Sequence, residues 1–163
     1  MNTKKIDELT AVTEYFLFLA EKCKRKLTNK KLQKLLYYAQ AWSLALTGQT
    51  IFNEPIEAWI HGPVVPSIYR RFKKYGFGLI EDAGSEDLLS LKGIKSVLDE
   101  VWRVYGKYDA GYLELLTHSE DPWIFARNDL DTKKASKAVI SIDSMLHFYT
   151  TLLNKYSSNE PKK

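Results

Sequence analysis

Residues 28–48 constrain the fold more than any other stretch. Leu32, Leu35, Leu36, Ala39, Ser43 and Leu46 recur at steps of three and four, the period at which side chains return to one face of an α-helix. Thr28 offers a hydroxyl to the free N–H groups of a first turn, and Gly48 can take the left-handed conformation that ends a helix. A helix with so continuous an apolar stripe must be covered, so the remaining elements have to supply the matching surface.

The same period recurs elsewhere. Ile6, Leu9, Val12, Phe16, Leu19, Ala20 and Cys23 mark a first amphipathic helix that runs out in Lys24-Arg25-Lys26, cations suited to a helix C-terminus. Between residues 50 and 60 the pattern shortens. Ile51-Phe52 and Ile56–Ile60 are β-prone runs around the turn-forming Asn53-Glu54-Pro55, which predicts a small hairpin, broken after Ile60 by Gly62-Pro63. Pro66 suits the first turn of a third helix through Ile68, Tyr69 and Phe72 to Gly76. Residues 76–92, rich in Gly, Ser and acid, predict a loop with a turn of strand at Leu88–Leu91. Helices follow through Ile94–Tyr105, from an Asp109 cap, from an Asp121 cap with Pro122, and from a Ser141 cap through Leu153.

The expected architecture is mainly α, of the α+β class: one compact bundle of about seven helices with a small β-hairpin, over residues 1–156, and a disordered tail at 157–163. A chain of 163 residues can bury roughly 70% of its unfolded surface, and 45% hydrophobic residues with four tryptophans supply the core. The single Cys23 allows no internal disulfide and is read as a small apolar core residue, in keeping with a reducing cytoplasm. No run approaches the ~18 apolar residues of a membrane span, and the charged start, Met1 to Glu8, lacks the apolar centre of an export signal.

Charge is unevenly placed. Residues 1–80 carry 13 Lys and Arg against 6 Asp and Glu, residues 81–131 carry 5 against 12, and residues 132–163 carry 6 against 2. The basic run Lys22, Lys24, Arg25, Lys26, Lys30, Lys31 and Lys34, beside Tyr37, Tyr38 and Trp42, would suit nucleic acid, with phosphate contacts and stacking platforms. No helix-turn-helix or RNA-binding signature accompanies it, so a solvated or protein-docking face is favoured. His118, Glu120 and Asp121 lie within four residues, but their spacing matches no zinc signature. His118 at a helix end would answer the dipole, and Asp121 would cap. No catalytic residue, metal or cofactor is expected. His61-Gly62-Pro63-Val64-Val65-Pro66 is a stiff, extended connector whose valines either plug the core or face a partner.

These motifs also carry a resemblance. Leu32–Trp42 (LQKLLYYAQAW), then Phe52 and Glu54, then Ile56–Pro66 (IEAWIHGPVVP) with Tyr69, and Thr117–Trp123 (THSEDPW) resemble, in order and spacing, the signature of the Panacea (SocA-like) antitoxins of bacteria and their phages. The similarity runs from about Ile6 to Leu153. It implies a compact, non-catalytic cytoplasmic protein, encoded beside a toxin and often on a prophage, that neutralises a cognate protein toxin by direct contact. For some members it implies delivery of the toxin to a AAA+ protease. Some relatives add an N-terminal DNA-binding module, for which this chain has no room. A phage regulatory or nucleic-acid-binding protein is the alternative.

The second helix, the hairpin and the connector are consecutive and should be neighbours in space. They concentrate Tyr37, Tyr38, Trp42, Trp59 and Tyr69 beside Lys31, Lys34, Arg70 and Arg71, with His61, Gly62, Pro63 and Val64 between. Aromatic and Arg residues dominate interface energetics, so this region is the expected toxin-facing surface, with exposed rings as anchors and cations as a steering rim.

Overall fold

Thr28 and Gly48 do bracket a helix. The structure, a computed structural model, describes residues 6–159, and in it α2 spans Asn29–Thr47. The Thr28 hydroxyl accepts the Lys31 N–H at 3.1 Å. Gly48, at φ +73°, ends the helix with its own N–H on the Leu44 carbonyl. Around α2 stand α1 (Glu8–Lys22), a two-stranded sheet of β1 (Glu57–Trp59) and β2 (Gly62–Val64), α3 (Pro66–Phe72) with a short 3-10 turn at Lys73–Tyr75, α4 (Lys95–Tyr105), α5 (Ala110–His118), α6 (Asp121–Ala126) and α7 (Ile142–Ser158). α1, α3, α4, α5, α7 and β2 all pack on α2. Asp7, Asp109 and Ser141 cap α1, α5 and α7 with their side chains. Residues 1–5, whose charge argued against an export signal, and residues 160–163 of the expected tail lie outside the described part. No helix among the described residues is long and apolar enough to cross a membrane.

α2 is not the amphipathic helix its stripe implied. The ten consecutive residues from Leu32 to Ala41 are each at most 1% exposed, so every side of its middle is buried. Lys34, Tyr37 and Tyr38 therefore lie in the core, and Lys31 is 8% exposed, where cations and anchors were expected at the surface. The physical reason is that each has an apolar stem or ring and a buried polar partner for its tip. Leu46, assigned to the buried stripe, is half exposed at the end of the helix.

The hairpin also differs. Glu57 pairs with Val64, Ala58 with Pro63 and Trp59 with Gly62, so the partner of the Glu57–Trp59 strand is Gly62–Val64 that follows it, not Ile51–Phe52 that precedes it. Pro63 is tolerated because it stands opposite Ala58, whose N–H points the other way to the Ala138 carbonyl at 2.8 Å. Ile51 and Phe52 instead use α2 as a surrogate strand. The Gln40 amide accepts the Ile51 N–H at 2.7 Å and donates to the Phe52 carbonyl at 2.7 Å.

Four smaller expectations are corrected. Glu120, not Asp121, is the cap position of α6, and its side chain does not cap the helix, because both carboxylate oxygens are turned inward to Tyr38 and Tyr149. Residues 88–91 form turns, with Leu88 and Leu89 exposed and Ser90 and Leu91 buried. Cys23 is exposed at the end of α1. α7 continues through Ser158, into the expected tail. The loop at 81–90 is nevertheless pinned. Gly84 lies so close to α1 that an added Cβ would fall 2.0 Å from the Phe18 nitrogen, and the Ser85 N–H donates to the Glu14 carbonyl.

Trp123 closes the bottom of the sheet. It is 2% exposed, its indole N–H donates to the Trp59 carbonyl at 2.8 Å, and its ring is sandwiched by His118 and the Arg127 guanidinium. Trp123→Ala is expected to cost about 3–5 kcal/mol, the range for emptying a buried aromatic site. Denaturant unfolding of the two proteins checks this, and an unchanged midpoint would contradict it.

Candidate partner-binding surface

The connector after the hairpin is fastened to the first turns of α2 by side chains. Gln33 accepts the Val65 N–H at 2.9 Å and donates to Asn29, whose own amide donates to the Tyr69 carbonyl at 3.0 Å. One turn on, the Lys34 ammonium donates to the Pro63 carbonyl at 3.1 Å. Gly62 must be glycine there: its φ is +104°, and a Cβ would lie 2.5 Å from Lys34 Cε and 2.9 Å from Thr117 Oγ1. Burial pulls the Lys34 ammonium down to about 7, with Lys30 adding to the fall and Glu114 opposing it. Lys31 donates to the Gly106 carbonyl at 2.5 Å and is likewise lowered by burial.

Farther along α2 the polar tips meet an acid. Tyr38 and Tyr149 each donate to one carboxylate oxygen of Glu120 at 2.8 Å, and the Tyr37 hydroxyl lies 3.4 Å from that of Tyr149. Tyr38 stacks on Tyr105 at 3.8 Å, and Trp42 donates to the Tyr105 hydroxyl at 2.8 Å. Burial pushes Glu120 up to about 7 against the pull of its two tyrosine donors. His118, Glu120 and Asp121 are not brought together. His118 stacks on Trp123 at 4.0 Å, and burial lowers its imidazole, while Asp121 faces solvent. Among the described residues no three His, Cys, Asp or Glu gather as a metal site requires.

The thirteen residues expected to meet a partner thus separate by depth. Lys31, Lys34, Tyr37, Tyr38, Gly62, Pro63 and Val64 are buried, Trp42, Trp59 and Tyr69 are half-buried, and His61, Arg70 and Arg71 are exposed. Trp59 and Tyr69 meet edge to face, 4.9 Å between centroids. One residue the sequence reading missed shapes the hairpin tip. Glu114 of α5 holds His61 Nδ1 at 2.9 Å on one oxygen and pairs with Lys30 through the other; burial works to raise its carboxyl, and the hydrogen bonds with Lys30 and His61 outweigh it and leave the group below its ordinary value. Nothing local in the sequence announces that link, since His61 and Glu114 lie 53 residues apart. Arg71 reaches Glu14 at 3.5 Å, whereas Arg70 has no carboxylate partner among the described residues.

Residues 32–124 match the family model for the SocA-like antitoxin, Panacea domain, more than half of the chain. The chain belongs to the SocA-like Panacea family. The Antitoxin SocA of Caulobacter vibrioides (strain NA1000 / CB15N) is 33% identical over 109 residues, covering 60% of this chain. The match spans 58% of that relative's length. No solved structure matches. The Panacea match begins inside α2 and ends inside α6, so it takes in Gln33, Lys34, Tyr38, Gln40, Glu120 and the hairpin and leaves out α1, Asn29 and α7 with Tyr149.

The cluster around Glu120 yields a pH test. Its carboxyl is raised from the ordinary 4.5 to about 7 in the folded state, so folding favours the protonated form. The resulting stabilisation is complete below about pH 4.5 and is lost as pH rises through about 7, at up to roughly 1.4 kcal/mol per pH unit. Glu120→Gln removes this dependence. Its melting temperature relative to wild type should therefore climb between pH 5 and pH 8, other titrations being shared by both proteins. A constant difference would show that Glu120 does not titrate there.

Proposed function

We propose that this chain is an antitoxin that neutralises a cognate protein toxin by direct contact, and that the hairpin tip and α3 form the toxin-facing surface. Family membership supports the antitoxin role and a non-enzymatic one. The observation that carries the placement is the division within the signature residues. The polar groups an enzyme would keep free are consumed in bracing α2: Lys34 on Pro63, Gln33 on Val65, Glu120 between tyrosines. What the braces present outward is the Trp59–Tyr69 pair, His61 set by Glu114, and Arg70. Rings held at a fixed angle on a stiff connector lose little entropy when a partner docks.

The alternative, a nucleic-acid face along the basic run, loses Lys31, Lys34, Tyr37 and Tyr38 to the interior, which argues for a protein partner. Handing the toxin to a AAA+ protease is a finer form of the same reading, and a shortened toxin half-life in the presence of this chain is its mark.

Two measurements test the proposal. Expression of the adjacent reading frame alone should arrest growth, and co-expression with this chain should restore it. Arg70→Glu should leave the melting curve unchanged, because the side chain is exposed and unpaired. It should slow toxin association several-fold at low salt and less at moderate salt. Wild-type association at both salts would remove α3 from the interface.

A further inference from the structure

Among the described residues, the most exposed large apolar side chain is one that the antitoxin signature does not use. Phe77 is 98% exposed, whereas the other exposed large apolar side chains lie between 37% and 77% and so rest partly on neighbours. A scattered surface Leu needs no explanation, but a phenyl ring wholly in water on an ordered tip forgoes all of its burial.

The tip is ordered from both sides. Gly76, at φ +55°, turns the chain out of the 3-10 turn, and the Gly78 N–H returns to the Tyr75 carbonyl at 2.8 Å. The Tyr75 hydroxyl bonds the Asp82 carboxylate, and Lys74 lies 3.8 Å from the same group. Beyond the ring, Leu79 pairs with Thr28 and the Ile80 N–H donates to the Leu27 carbonyl at 2.8 Å. Phe77 is therefore carried beside the N-terminus of α2, where Asn29 also holds Tyr69. The tip is continuous with the surface proposed above.

Its surroundings carry both signs but are weighted to cations: Glu21, Glu81 and Asp82 stand nearby, and Asp82 is already met by Tyr75 and Lys74. Arg70 and Lys73 lie one turn apart, both exposed and without a carboxylate partner among the described residues, and Lys24, Arg25 and Lys26 are exposed on the segment leading to Leu27. We infer that Phe77 is the apolar anchor of the interface, seated in a closed apolar socket of the partner protein whose rim carries Asp and Glu. A ring projecting from a fixed turn among free cations fits a pocket with that lining, and buried aromatic plugs are typical energetic centres of protein interfaces. The inference rests on the toxin-binding reading and adds the residue and the chemistry of its receptor.

The test uses the full-length chain and, as probe, the product of the adjacent reading frame that arrests growth. Phe77→Ala should melt as wild type does, because the ring touches nothing, and should dissociate from the probe at least about 30-fold faster. Phe77→Leu should recover part of that loss, and Lys73→Glu should slow association chiefly at low salt. Dissociation of Phe77→Ala at the wild-type rate would overturn the inference while leaving the toxin reading intact. Failure of the wild-type chain to bind the probe would sink both. A single-stranded oligouridine serves as the control ligand: salt-sensitive binding by wild type that Phe77→Ala abolishes, with the protein probe unaffected, would assign the ring to nucleic acid and overturn the inference.

Discussion

Everything in this molecule follows from burying α2 on all sides. A surface helix can leave its polar residues in water, but from Leu32 to Ala41 this one leaves nothing there, so every lysine, glutamine and tyrosine tip must find a partner or incur the desolvation cost of an orphaned group. Each requirement selects a piece of the surrounding chain. Gln33 and Lys34 require backbone at Val65 and Pro63, Gln40 requires both groups of a short extended segment at Ile51–Phe52, and Tyr38 requires an acceptor, which Glu120 supplies. The interior polar groups thus set which loop lies where, and the apolar residues between them fill the volume.

That dependence explains what the sequence made legible. Local chemistry could be read directly: Thr28, Asp109 and Ser141 cap their helices, Gly48 ends α2, and Pro66 opens α3. Each signal acts within one turn of its own residue. The partners of Gln40, Lys34 and Glu120 lie 11 to 82 residues away, and no spacing rule announces them. The same blindness turned Tyr37, Tyr38 and Lys34 into a presumed surface, because polar tips at helical spacing look alike whether water or a distant carbonyl receives them. The hairpin was mislaid for a related reason. Gly62-Pro63 reads as a strand breaker, yet Pro63 costs no ladder bond at a position whose N–H would point away from β1.

Within the candidate surface the outcome was mixed. Trp59, His61, Tyr69, Arg70 and Arg71 are where a partner could touch them, and their sequence neighbours proved to be the supports. The opposed charges of the first half and the middle of the chain are spent partly on internal order: Lys30 pairs with Glu114, and Lys74 lies 3.8 Å from Asp82. Among the described residues of the basic half, Arg70 of α3, Lys73, Lys24, Arg25 and Lys26 keep no carboxylate partner. The segment matched to the Panacea family contains Gln33, Lys34, Gln40, Glu120 and the rigid connector, while their partners Asn29 and Tyr149 lie outside it.

Lys34 and Glu120 place opposite demands on the fold. Burial raises the Glu120 carboxyl and lowers the Lys34 ammonium, and both reach about 7. For Lys34 the unfolded chain keeps its proton up to about 10.5, so the cost of its buried charge is present below about 7 and is relieved as pH rises from there to 10.5. Glu120 behaves in the reverse sense, costing most above about 7. No single pH therefore relieves both, and a pair of well-packed apolar residues would be the more stable choice. What an apolar pair would not do is distinguish one register of α2 from another. Lys34 meets a carbonyl only if β2 lies over that turn, and Glu120 meets two hydroxyls only if α6 and α7 both arrive at Tyr38. A helix apolar on every side could slide or rotate at little cost, whereas displacement of this one leaves a charge in the core.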